Sequence, residues 1–156
     1  MTLDQYTANL EAFAKEVTSI GAIPVRASPF LSLPGLTTQQ ILVTPLTRRS
    51  YTSTTPPTII QDLSTQRNLT LTAAYATRSR HIDLNGASVR YCDAIGPDNA
   101  WKYNLNPDDR THLNDWGSVV FGRLVSDLLA KAYIDVAAVT RPNRTLSEEI
   151  WEGVPA

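Results

Sequence analysis

The sequence has few of the residues from which disulfide frameworks and metal centres are built. Its 156 residues include one cysteine, Cys92, which excludes an internal disulfide and a site with several cysteine ligands. The two histidines, His81 and His112, are too few for a zinc centre made mainly of imidazoles. We therefore expect no metal and no other cofactor.

Long apolar runs and an excess of one charge are also missing. No apolar stretch is long enough to cross a bilayer, and the net charge of -1 comes without a basic patch. We therefore expect no membrane and no nucleic acid among the partners. The first 20 residues carry Asp4, Glu11 and Lys15, which do not fit a signal peptide. The sequence by itself leaves the compartment open.

Helical and strand patterns alternate along the chain. The predicted helices cover residues 3–20, 58–80, 87–95 and 113–132, and the predicted strands cover residues 41–44 and 81–84. This order predicts one α/β domain with a parallel sheet. Residues 98–110 are predicted to form a loop, and residues 141–156 a loose C-terminal tail, from which Trp151 could dock on the core. Two strands are too few for a complete sheet of this class, so the pattern indicates part of a three-layer domain.

The strongest chemical signal is Asp109, which lies three residues before His112 and directly ahead of a helix. A carboxylate in this place accepts a hydrogen bond from one imidazole nitrogen and leaves the other free to take a proton from a serine. Asn114 is a good N-cap for the helix that follows. Apolar residues then recur at helical spacing, so one face of the helix packs and fixes the preceding loop. The pattern is the one that the acid–base half of a hydrolytic triad needs, although an Asp-His pair at this spacing, taken alone, is more often a surface accident or a structural hydrogen bond.

Residues 109–129, DRTHLNDWGSVVFGRLVSDLL, resemble the final sequence block of the SGNH (GDSL-type) hydrolases. Among these enzymes the block is most similar to the rhamnogalacturonan acetylesterase-like carbohydrate esterases. Residues 41–51, 81–96 and 101–104 resemble successive segments of the same family's second half. The resemblance therefore covers most of the chain, and the last block is its most specific part.

The resemblance implies a fold, an activity and two catalytic residues. The fold is a three-layer α/β/α, flavodoxin-like domain with parallel strands. The activity is removal of acetyl groups from a polysaccharide such as rhamnogalacturonan, or from a small ester, through a Ser-His-Asp triad. Asp109 and His112 match the family's catalytic Asp and His. Family members are secreted.

Two parts of the family's catalytic apparatus have no match in this sequence. The chain contains no Gly-Asp-Ser, which carries the nucleophile, and no Gly-x-Asn-Asp, which supplies an oxyanion donor. We therefore expect residues 1–140 to be the C-terminal portion of an SGNH domain whose N-terminal part is missing, and to be inactive alone. The alternative is a non-catalytic carbohydrate-binding or interaction module. The exposed sheet edge of a partial domain also allows self-association.

Residues 25–40, VRASPFLSLPGLTTQQ, do not fit the family pattern. Deleting them joins GAIP directly to ILVTPLTRR, which is how the family reads there. One interpretation is a translated, unspliced intron, since sixteen codons match the length of a short intron. The other is a natural loop insertion, which surface loops tolerate. Both remain open from the sequence.

Four further residues are candidates for binding a substrate. Arg48 and Arg49 follow a strand and are able to pair with the carboxylates of an acidic polysaccharide, although a solvated turn is the interpretation we favour. Trp101 and Tyr103 precede the Asp-His loop, where they either stack on a sugar ring or belong to the core.

Overall fold

The computed structural model describes residues 2–19 and 41–156. Residues 25–40, for which an intron and a loop insertion were weighed, lie outside these ranges. The six α-helices of the described residues are α1 (Leu3–Ser19), α2 (Ser64–Thr77), α3 (Leu84–Ala100), α4 (Asp115–Ala132), α5 (Ile134–Ala137) and α6 (Arg144–Glu152). The strands are β1 (Ile41–Val43) and β2 (Arg80–Ile82), and Trp101–Tyr103 form a 3-10 helix. Within the described ranges, no helix combines the length and the hydropathy that a membrane crossing requires.

The two strands pair in parallel, so the predicted α/β class with a parallel sheet is confirmed. Leu42 is the register partner of His81, and both side chains therefore point to the same face of the sheet. Helix α2 covers this face, because Leu42 packs with Ala73 and Ala74 of α2, and Leu10 of α1 packs against them. Helix α4 contacts β2.

The main core lies between α3, α4 and α6 rather than on the sheet. Tyr91, Tyr103 and Phe121 form its centre, where Phe121 meets both tyrosine rings edge to face. Val120 and Leu124 of α4 are completely or almost completely buried beside them. Aromatic contacts of this kind add to the free energy gained from burying apolar area. Helix α4 is thereby fixed, and with it the loop that precedes it.

Two helices have different bounds from those predicted. Helix α2 begins at Ser64 rather than near residue 58, because Ile59 donates its N–H to the Asp93 carboxylate and pairs with Tyr51 in an isolated bridge. Helix α3 begins earlier, at Leu84, because the Asp83 side chain caps it. It also runs on to residue 100 through a kink at Gly96, whose φ of 74° a glycine adopts without strain.

The predicted loose tail is wrong, because residues 144–152 form α6. Asn143 caps this helix by accepting a hydrogen bond from the N–H of Leu146. Leu146 and Ile150, four residues apart, bury one face of α6 in the main core. The Trp151 indole donates to Asp127 of α4 at 3.0 Å. The C-terminal segment is therefore part of the domain.

Candidate active site

Asp109 and His112 are joined by a direct hydrogen bond. The imidazole Nδ1 lies 2.8 Å from Oδ2 of Asp109, while Oδ1 accepts the backbone N–H groups of Thr111 and His112, each at 2.8 Å. Both carboxylate oxygens are thus engaged, and the carboxylate cannot turn away from the ring. Because Nδ1 faces a carboxylate, the neutral imidazole carries its proton there and keeps the lone pair on Nε2.

The imidazole of this pair stands at the surface. Its side chain is 72% exposed, whereas that of Asp109 is 21% exposed. Among residues 2–19 and 41–156, no side chain donates a hydrogen bond to Nε2 of His112. The nitrogen that would take a proton from a hydroxyl is therefore accessible.

The pKa of Asp109 is lowered to about 2 by the backbone N–H groups of His112 and Thr111 and by the imidazole. A carboxyl with a lowered folded-state pKa stabilises the loop above its ordinary pKa of about 3.9, and this contribution is lost as pH falls through the folded value. We expect the Asp109–His112 contact to persist through pH 4 and to be lost near pH 2. Carboxyl-carbon NMR titration measures this midpoint, and a value near 4 would contradict the hydrogen bonding described.

Arg49 holds the Asp-His loop from beneath. Its side chain is completely buried, with Nε donating to Oδ1 of Asn104 and Nη2 donating to the carbonyl oxygen of His112 at 2.6 Å. Its backbone N–H donates to the carbonyl of Arg110 at 2.9 Å. Burial lowers the pKa of Arg49, and the nearby Cys92 and Asp109 oppose that shift. One buried residue thus fixes the backbone on both sides of Thr111.

The loop is also tied to the 3-10 helix and to the start of α4. Asn104 and Leu113 form an isolated antiparallel bridge, and the N–H of Leu105 donates to the carbonyl of His112 at 3.1 Å. Asn114 caps α4, as the sequence predicted, by accepting from the N–H of Gly117 at 2.8 Å. The pair is therefore positioned by backbone hydrogen bonds at each end of its loop.

The structure does not place Arg48 and Arg49 together at a surface cleft. Arg49 is buried under the loop, so its guanidinium is out of reach of a polysaccharide carboxylate at the surface. Arg48 is partly exposed and pairs with Asp62 at 3.1 Å. The sequence did not indicate that Arg49 braces the loop, because its side-chain partners lie 55 and 63 residues further along the chain.

Trp101 and Tyr103 also have different environments. Tyr103 is 2% exposed and belongs to the main core. Trp101 is 37% exposed, and its indole donates to the carbonyl of Arg49 at 2.9 Å. The Arg110 guanidinium lies 4.2 Å from its ring centroid. An open pocket of about 400 Å³ lies along residues 98–107, and Trp101 and Lys102 are among the residues that line it.

Ser88 and Ser118, two serines on the helices near the loop, make local hydrogen bonds. Ser88 is fully buried and donates to the carbonyl of Asn85 at 3.0 Å. Ser118 donates to the carbonyl of Asn114, also at 3.0 Å. In the part of the chain that the structure describes, no group of three acidic, histidine or cysteine side chains is arranged to hold a metal ion.

The arrangement is able to orient an imidazole as a general base, and it presents that base to solvent.

The chain matches no protein-family model, no curated protein and no solved structure at a significant level.

Proposed function

We propose that Asp109 and His112 are the acid–base pair of a Ser-His-Asp ester hydrolase. The observation that carries this proposal is the 2.8 Å contact between Nδ1 and the carboxylate, combined with an exposed ring. In such a triad the carboxylate sets the tautomer and the imidazole takes the proton of a serine hydroxyl. The resemblance of residues 109–129 to the SGNH block supports the same assignment. It also supports a three-layer SGNH architecture for this α/β domain.

The resemblance supports acetyl esters on a polysaccharide such as rhamnogalacturonan as the substrate class. His112 would serve as general base in forming the acetyl-enzyme and again in its hydrolysis by water. Neither a Gly-Asp-Ser nor a Gly-x-Asn-Asp occurs in the 156 residues. Catalysis by the pair therefore requires a nucleophile and oxyanion donors, and the two motifs that would supply them are absent from this sequence. We expect the chain alone to be inactive.

The tautomer of His112 tests the acid–base assignment without requiring turnover. We expect the neutral ring to carry its proton on Nδ1, which ¹⁵N NMR of the imidazole distinguishes from a proton on Nε2. His81 is an internal control, since its Nδ1 lies 3.5 Å from the carbonyl of Ser79 and faces no carboxylate. Asp109→Ala should remove the Nδ1 preference of His112 and leave His81 unchanged. A proton on Nε2 of wild-type His112 would make the ring unable to accept one there and would refute the proposal.

Turnover is tested with acetylated rhamnogalacturonan rather than with an activated ester such as p-nitrophenyl acetate, which an exposed imidazole attacks by itself. The wild-type chain and His112→Ala should hydrolyse it at the same background rate, because no nucleophile is paired with the imidazole. Wild-type turnover that disappears in His112→Ala would show that another nucleophile acts within this chain. In that case Ser118 and Ser88 are the first residues to replace.

A second candidate is a non-catalytic carbohydrate-binding module. The observation that favours it is the open pocket that Trp101 and Lys102 line beside the Asp-His loop, since an indole ring offers a sugar an apolar surface and the ammonium offers an acidic sugar a counter-charge. Calorimetric titration with acidic pectin fragments separates the two functions. Binding that His112→Ala leaves unchanged and Trp101→Ala abolishes would favour the module.

A further inference from the structure

A second open pocket lies between the C-terminal half of α4, α6 and the segment that joins α5 to α6. Its volume is about 330 Å³, at the lower end of the range of small-molecule sites. Arg123, Asp127 and Lys131 follow one another at four-residue spacing, so they share one face of α4 and form one wall. The other lining residues are Ala130, Ala137, Thr140, Pro142 and Trp151. The Asp-His loop precedes the opposite end of α4, so this pocket is separate from the candidate active site.

The carboxylate of Asp127 is neutralised inside the pocket wall. Its Oδ1 accepts a hydrogen bond from the Arg123 guanidinium at 2.5 Å, and its Oδ2 accepts one from the Trp151 indole at 3.0 Å. The side chains of Arg123 and Asp127 are only 9% and 14% exposed, so water screens the pair little. Asp127 therefore offers no free oxygen to a cation and does not repel an anion.

Two donors that line the pocket have no acceptor. The Lys131 ammonium lies 5.8 Å from the centroid of the Trp151 ring and pairs with no carboxylate of residues 2–19 or 41–156. The buried Nε of Arg123 has no acceptor in the described part of the chain. An unpaired buried donor costs free energy, which an oxygen atom of a bound molecule would recover. Two cations face one neutralised carboxylate, so the pocket favours an anion.

The rest of such a ligand has to be apolar. A sugar ring carries several hydroxyls, and each needs a hydrogen-bond partner when it is buried. The Thr140 hydroxyl already donates to the carbonyl of Val136 at 2.7 Å, and the Trp151 indole N–H is held by Asp127. A flat hydrocarbon ring needs no such partners and gains by packing against the indole, which is 42% exposed.

We propose that this pocket binds a small aromatic carboxylate. The aromatic ring of the ligand packs against Trp151, and its carboxylate pairs with the Lys131 ammonium. The site shares no residue with the Asp109–His112 pair, so it does not depend on the proposed esterase function.

Titration of the ¹⁵N-labelled chain with benzoate tests the site. The three tryptophans give three indole N–H signals, so two of them are internal controls. We expect the Trp151 signal to shift with a dissociation constant below about 10 mM, and the signals of Trp101 and Trp116 to stay in place. Benzamide, which has the same ring without the charge, should bind at least about threefold more weakly.

Two matched pairs of variants locate the binding. Ala137→Leu fills the pocket and should abolish the Trp151 shift, whereas Ala138→Leu adds the same side chain at the neighbouring exposed position, outside the lining. Lys131→Met should weaken benzoate binding about two- to fivefold, and Lys15→Met on α1 should leave it unchanged. Circular dichroism confirms that each variant is folded.

Three results would overturn the proposal. The first is a Trp151 signal that does not move at about 10 mM benzoate, or that moves no more than the Trp101 signal. The second is a folded Ala137→Leu chain that binds benzoate as well as the wild type. The third is equal affinity for benzoate and benzamide, which would show that the ammonium does not select an anion.

Discussion

Arg49→Met is expected to lower the free energy of unfolding by about 2–4 kcal/mol, whereas Arg48→Met changes it by less than about 1 kcal/mol. Removing the Arg49 guanidinium leaves the buried Oδ1 of Asn104 without its donor and takes one of two donors from the carbonyl of His112, and each lost hydrogen bond to a charged group costs about 1.5–3 kcal/mol. Methionine retains much of the buried stem volume, so the change isolates the lost hydrogen bonds.

Removing the buried Arg49 charge also has a stabilising effect, which limits the net decrease in the free energy of unfolding. The Arg49 charge is desolvated, and neither of its side-chain acceptors is a carboxylate. Its Nη1 also lacks an acceptor among the described residues. Deleting the charge relieves that desolvation, so the net destabilisation stays below the summed cost of the two lost hydrogen bonds.

Urea denaturation of the two arginine variants measures the difference. Arg48 is the matched control because it is the adjacent arginine, with an exposed ion pair to Asp62. Equal and small changes in both variants would show that the buried guanidinium does not brace the loop. The NMR signal of His112 gives a local readout, since a loosened loop should average its two tautomers.

Replacing either of two glycines of α4 by alanine should change the stability of the fold, in opposite directions at the two positions. A Cβ at Gly117 would lie 2.7 Å from the Tyr103 carbonyl oxygen and 2.9 Å from its Cβ, while a Cβ at Gly122 meets nothing within 4 Å. Gly117→Ala should therefore destabilise the fold by about 1–3 kcal/mol through overpacking. Gly122→Ala should stabilise it by about 0.5–1 kcal/mol, because alanine favours the helix.

Thermal unfolding followed by circular dichroism compares these two glycine variants. The destabilised variant also bears on the candidate site, because Gly117 donates the capping bond to Asn114 and an added Cβ would press on Tyr103 of the 3-10 helix. We expect Gly117→Ala to disturb the His112 resonances and Gly122→Ala to leave them unchanged. A Gly117→Ala variant more stable than the wild type would mean that the 3-10 helix moves away from the added methyl group without a free-energy penalty.

What the sequence predicted correctly was local. Asp109 and His112 are three residues apart, and the Asn114 cap is read from the residues beside it, so neither needs knowledge of distant contacts. The α/β order and the parallel pair follow from alternating helical and strand patterns. The predicted bounds of α2 and α3 were less accurate, because the Asp83 cap and the contact between Ile59 and Asp93 decide them.

What the sequence did not reveal depends on contacts between distant residues. An arginine after a strand ordinarily suggests an exposed turn, and only the fold places Arg49 beneath the loop. Helix α6 was missed because Leu146 and Ile150 are too few to give a clear helical period, although their spacing suffices once α4 lies opposite. The Tyr133 hydroxyl accepts the N–H of His81 and donates to its carbonyl, and this contact between residues 52 positions apart has no local signature.

The short span of the Asp109–His112 pair has a kinetic consequence. A contact between residues three apart closes on the timescale of short loops, faster than about 100 ns, and forms transiently even in a denatured chain. The Arg49 contacts, at separations of 55 and 63 residues, form only when these distant segments have come together. The Asp109–His112 contact thus forms transiently early in folding and becomes fixed only when the Arg49 contacts form. Amide exchange at Thr111 and His112 should gain protection only in the last phase of refolding.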